Sequence, residues 1–97
     1  MTELIFHPSV LSKVQAAYTW YEEQATGLGD DFITELESAY KFIKQLPTTW
    51  PKLSKNTRRF VLTKFPYAVV YKSDKNTCFV LAVMHQSRKP LYWQDRQ

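Results

Sequence analysis

The side chains able to do chemistry gather in the second half of this sequence. His85, Arg88 and Tyr92 stand close together, and Arg88, Tyr92 and Arg96 follow one another at four-residue steps. Cleaving RNA without a metal requires a base for the 2′-OH proton, cations for the charge building on phosphorus and an acid for the leaving oxygen. His85, Arg88 and Tyr92 are of those types, and Tyr92 is equally suited to stack on a base. A helical tail would align Arg88, Tyr92 and Arg96 on one face, whereas Pro90 argues for an extended or turning segment. Arg58, Arg59, Lys64, Trp93 and Arg96 widen the set into a basic and aromatic constellation. Tryptophan, tyrosine and arginine are also the residues that dominate binding interfaces. A plainer alternative stands beside both readings. It has a strand-end histidine bonded locally, an exposed arginine, and Tyr92-Trp93 packing the C-terminal segment onto a sheet.

Other chemistries find little footing. One cysteine and two histidines, with no H-x-x-H or C-x-x-C spacing, argue against a zinc site. Cys78 falls inside a strand pattern and reads as an inert core thiol. No G-x-S-x-G or dinucleotide-binding fingerprint occurs. Both glycines sit in Gly27-Leu28-Gly29, too few for a phosphate loop. No cofactor is expected.

Charge is divided unevenly. Residues 1–46 carry seven acids and three bases, net −4, whereas residues 47–97 carry ten bases and two acids, net +8. A basic surface of that size attracts nucleic acid or an acidic protein segment. The simpler alternative is a set of lysines that merely face water. No apolar run is long enough to span a bilayer. The first residues lack the basic start and apolar stretch of a signal peptide. With a single cysteine, the reducing cytoplasm is the expected location and no membrane partner is expected.

These residues need a scaffold, and 97 residues suffice for one two-layer domain over 1–97. Leu4-Ile5-Phe6 reads as a short strand. From Ser9, the spacing of Val10, Val14, Ala17 and Tyr21, widened by Leu11 and Tyr18, predicts an amphipathic helix. Pro8 and Ser9 suit its start and Gly27 its end. Asp30 and Asp31 open a second helix, Phe32, Ile33, Leu36, Ala39, Ile43 and Leu46 form its buried stripe, and Pro47 stops it. Strands are predicted at 59–65, 67–72 and 77–85, with a four-residue turn at 73–76. The last strand is apolar on both faces and should be central. The predicted fold is α+β: a helical hairpin packed on a mostly antiparallel four-stranded sheet, in the order β-α-α-β-β-β.

Two stretches carry a family resemblance. They are Arg58-Arg59-Phe60-x-x-x-x-Phe65-Pro66-Tyr67-x-Val69-x-Tyr71 and Val80-Leu81-Ala82-Val83-x-His85-x-x-Arg88-x-Pro90-x-Tyr92-Trp93-x-x-Arg96. Trp20-Tyr21-Glu22 with Leu28-Gly29-Asp30-x-Phe32, and Ile43-x-x-x-Pro47, extend the likeness to the first half. Together they resemble the RelE/ParE superfamily of bacterial toxins. The resemblance implies the toxin of a type II toxin–antitoxin, plasmid-stabilising module, neutralised by a cognate antitoxin whose C-terminal segment wraps it. ParE-like members are associated with inhibition of DNA gyrase, and RelE-like members cleave mRNA in the ribosome. RelE-like nucleases place an arginine six residues before the tail tyrosine. Here that position is Gln86, and the His-x-x-Arg-x-Pro stretch is closer to the ParE-like side. A gyrase-binding toxin is thus the first expectation, using Arg88, Tyr92, Trp93 and Arg96 as its contact. A metal-independent, ribosome-dependent endoribonuclease using His85, Arg88 and Tyr92 is the alternative. Arg58, Arg59, Lys64 and Arg88 are expected to steer an acidic antitoxin segment.

Overall fold

Each helix buries one stripe of apolar residues and needs a partner for it. In the computed structural model, which describes residues 2–86, that partner is a sheet. The order is β1 (Glu3–Phe6), α1 (Ser9–Gln24), α2 (Leu28–Gln45), β2 (Arg58–Val61), β3 (Tyr67–Asp74) and β4 (Thr77–His85). Val10, Ala17 and Tyr21 of α1 and Phe32, Leu36, Ala39 and Ile43 of α2 are buried in one core with Val69, Tyr71, Cys78, Val80 and Val83 of the sheet. Leu11 and Leu46, predicted within the stripes, are exposed instead. Leu46 lies at the C-cap, just beyond the last helical residue, where the stripe no longer follows the helix.

The two helices are joined by a short connection with its own chemistry. Gly27 adopts a left-handed backbone, φ 87°, which glycine reaches without steric cost. The free N–H groups opening α2 are not satisfied by a cap of their own. Glu22 of α1 accepts from the N–H of Gly27 at 3.2 Å and of Gly29 at 2.8 Å. Gly29 permits this approach, since a Cβ there would lie 2.7 Å from the Tyr18 carbonyl oxygen. Helix α2 consequently begins at Leu28, and Asp30 and Asp31 fall within its first turn, where carboxylates favour the positive end of the helix dipole. At the start of α1, Ser9 does not cap as predicted. The His7 Nδ1 accepts the Ser9 N–H at 3.1 Å.

The sheet order is β1-β4-β3-β2. β1 runs parallel to β4, with Glu3 beside Thr77 and Phe6 beside Val80. The β2–β3 and β3–β4 pairs are antiparallel, so the sheet is mixed, and β4 is central. The β3–β4 register shifts between Val70 and Tyr71. A second, smaller apolar cluster holds Val70, Leu81, Ala82 and Met84, with Leu53 and Phe79 packed against it. Two boundaries differ from the sequence expectation. β2 stops at Val61, because the next free backbone N–H groups, of Thr63 and Lys64, are taken by the Glu35 carboxylate of α2, while Leu62 and Phe65 turn into the core. β3 runs on to Asp74, leaving a two-residue turn in which Lys75 takes a positive φ of 53°.

Candidate functional site

The strands carry the candidate residues to two different ends of the sheet. At one end, His85 closes β4 opposite Tyr67, the first residue of β3. Their rings meet edge to face with centroids 5.1 Å apart. Tyr67 in turn packs on Phe32 of α2 at 5.1 Å and Tyr21 of α1 at 6.2 Å. Phe65 closes the group, 4.9 Å from Tyr21 and 5.3 Å from Phe32. His85 is thereby mounted on an aromatic cluster fed by both helices. Gln86 extends the pairing by one residue, its N–H donating to the Pro66 carbonyl at 2.7 Å. Lys64 belongs to the same end, in the loop that Glu35 holds against α2. The Lys64 N–H donates to Glu35 Oε1 at 3.1 Å, and the Thr63 N–H donates to Oε2.

Arg58 and Arg59 belong to the other end. Adjacent strand residues point to opposite faces, and the register follows that rule, with Arg58 beside Tyr71 and Arg59 beside Val70. The Arg58 guanidinium donates to the Trp50 carbonyl at 2.8 Å. The Trp50 ring lies edge-on to Phe60 at 4.7 Å, and Phe60 stacks on Phe42. The Arg59 backbone N–H donates to the Pro51 carbonyl. Four residues of β3 separate the Arg58 level from the His85 level, roughly 13 Å at about 3.3 Å per residue. The two arginines and His85 therefore do not share one cluster. Arg88, Tyr92, Trp93 and Arg96 lie outside the described residues.

Burial governs two ionisable groups at the Arg58 end of the sheet. The Tyr71 hydroxyl donates to the Pro47 carbonyl at 2.6 Å. Burial pushes its pKa up to about 12, with Cys78 adding to the rise and Arg58 opposing it. Burial also pushes the Cys78 thiol up, against a small opposing hydrogen bond with Ser73. The thiol therefore stays protonated inside the core, as its strand position predicted. Among the described residues no three His, Cys, Asp or Glu side chains gather where they could hold a metal.

One cluster is not legible in the sequence because its members are far apart in the chain. Lys52, Lys55, Arg58 and Lys72 line a groove of about 480 Å³ at the Arg58 end of the sheet, with Asp74 as its acid. A short antiparallel bridge, Lys52 with Arg58, brings the loop to the strand. The only sequence signal for it was the excess of bases in the second half.

The family model described as the ParE toxin of type II toxin-antitoxin system, parDE, matches residues 4–90. The chain belongs to the ParE toxin family. A solved structure titled the chromosomal ParDE TA system from P. aeruginosa shares the fold of this ParE-family chain, with a TM-score of 0.64 and 13% identity. The match covers 88% of this chain and 96% of that one. No curated protein matches the sequence. The ParE family match spans both helices, His85 and the four strands except Glu3 at the start of β1. No helix among the described residues is long and apolar enough to cross a membrane.

Proposed function

We propose that this ParE-family chain is the growth-inhibiting half of a type II toxin–antitoxin pair, that it acts in the cytoplasm by docking on DNA gyrase, and that a cognate antitoxin neutralises it. The family match over residues 4–90 carries this reading. Two features of the chain support binding over RNA cleavage. Gln86 stands where RelE-like nucleases place an arginine. Arg58 and Arg59 point to opposite faces of β2 and stand at the far end of the sheet from His85, whereas metal-free scission needs cations converging on one phosphate. Arg88, Tyr92, Trp93 and Arg96 are the proposed gyrase contact.

The antitoxin is read as a segment with apolar anchors and acidic flanks. Ile5 and Phe6 of the edge strand β1 are both 43% exposed, and an extended segment can add a strand to such an edge. Arg58, Arg59, Lys64 and Arg88 would speed its approach, an effect that salt screens.

Supercoiling of relaxed plasmid by purified gyrase is the test. Supercoiling is expected to fall as toxin approaches equimolar amounts and to recover on adding antitoxin. Full supercoiling with toxin in excess refutes the gyrase reading. Primer extension on mRNA after induction is expected to show an unchanged pattern, and discrete new cuts in translated frames would replace docking with nuclease action.

A further inference from the structure

The groove at the Arg58 end of the sheet has no part in the proposed gyrase contact. Its walls come from three places, the loop before β2, the start of β2 and the end of β3. Of the nine described residues that line it, four are cations, Lys52, Lys55, Arg58 and Lys72, and one is an acid, Asp74. The other four carry hydroxyl or amide groups. Among the described residues no apolar side chain lines it.

That composition selects the partner. An acidic peptide held by charge alone gains little, because exposed ion pairs contribute about 0–1 kcal/mol each, and protein segments depend on apolar or aromatic anchors. The described lining offers no place for one. A single-stranded nucleic acid calls for aromatic platforms on which bases stack, and among the described residues the lining holds none. The sugar–phosphate backbone of a duplex asks for what is present: lysine and arginine with serine, threonine and asparagine donors. Two of the cations are also held in place. Arg58 is pinned by its bond to the Trp50 carbonyl, and the Lys72 ammonium lies 5.7 Å from the centre of the Phe79 ring.

The geometry points to this groove as a binding site for the phosphate backbone of duplex DNA. The site is independent of the gyrase reading, because it needs no protein partner. Lys52, Lys55, Arg58 and Lys72 contact phosphates, and Asp74 limits the affinity by repelling them.

Fluorescence anisotropy of a labelled 20-base-pair duplex, titrated with the full chain and without gyrase, tests the site. Four phosphate contacts give a slope of log K against log salt of about −3 to −4. The double variant Lys52→Gln/Lys72→Gln is expected to bind at least tenfold more weakly at 50 mM salt, with a slope shallower by about 2. Its thermal unfolding should match the parent's. Asp74→Asn should tighten binding severalfold. Lys13→Gln/Lys41→Gln, which removes the same charge from the helices, should change affinity less than twofold. Equal weakening by that helix pair would show net charge alone and overturn the site. Tighter binding of a single strand of the same length would overturn the duplex assignment. Tighter binding of a 20-residue poly-glutamate, lost in the Lys52→Gln/Lys72→Gln variant, would assign the groove to an acidic protein instead. Absence of duplex binding at 50 mM salt would overturn it outright.

Discussion

The two ends of β3 are built from different materials. At the Tyr67 end, the strand rests on rings from both helices, and the adjoining loop is tied down by a carboxylate of α2. At the Lys72 end, the strand borders solvent and cations. Aromatic packing stabilises by burial and shape, and it is damaged by removing a single ring. Exposed charge adds little to stability, and its effects are seen mainly in what approaches from outside. The same strand therefore serves as a structural anchor at one end and as an open surface at the other.

The sharpest way to break this contrast is Phe32→Ala. Phe32 is fully buried and touches Tyr21, Phe65 and Tyr67, so the loss should be about 3–5 kcal/mol, read from urea unfolding followed by circular dichroism. Lys72→Gln at the other end should stay within about 0.5 kcal/mol of the parent. Equal losses from the two substitutions would erase the difference between the ends.

A smaller effect is expected from Glu35→Ala, which removes the acceptor of the Thr63 and Lys64 N–H groups. The expected loss is about 1–2 kcal/mol, with faster hydrogen exchange at those two amides. Glu35→Gln keeps an acceptor oxygen and should lose about half as much. Unaltered exchange in Glu35→Ala would mean that the loop is held by Leu62 and Phe65 alone.

The smallest effect is expected at Tyr71, beside Arg58. Its hydroxyl ionises near 12 in the folded chain, against about 10 for a free tyrosine. Folding thus favours the protonated form. This contribution is complete below pH 10 and is lost as pH rises from 10 to 12. Tyr71→Phe should cost about 1 kcal/mol at neutral pH for the bond to Pro47 and flatten the decline in urea midpoint between pH 10 and 12. A decline of equal steepness in that variant would place the alkaline sensitivity elsewhere.

Local patterns in the sequence carried much of this fold. The three- and four-residue spacing from Val10 to Tyr21 and from Phe32 to Ile43 located both helices and their buried faces, and the run from Thr77 to His85 marked the central strand. What stayed hidden depends on contacts distant in the chain. The early end of β2 follows from Glu35, 28 residues before Thr63. The parallel partner of β1 is the last strand, and no local pattern marks it. The basic groove joins Lys52 to Lys72 only after β2 and β3 have paired. The cap of α1 was missed for a different reason: imidazole at His7 does what Ser9 was expected to do.

The pairing of β1 with β4 also sets a timetable for the nascent chain. Glu3 waits for its neighbour Thr77, which is added 74 residues later, roughly 4–15 s at about 5–20 residues per second. The helical hairpin has no such wait, since Glu22 and Gly29 are seven residues apart. Translation therefore supplies both partners of the hairpin first, with β1 left without its ladder. The sheet is completed only when synthesis reaches the central strand, and a message broken before that point encodes helices without the sheet they are built to cover.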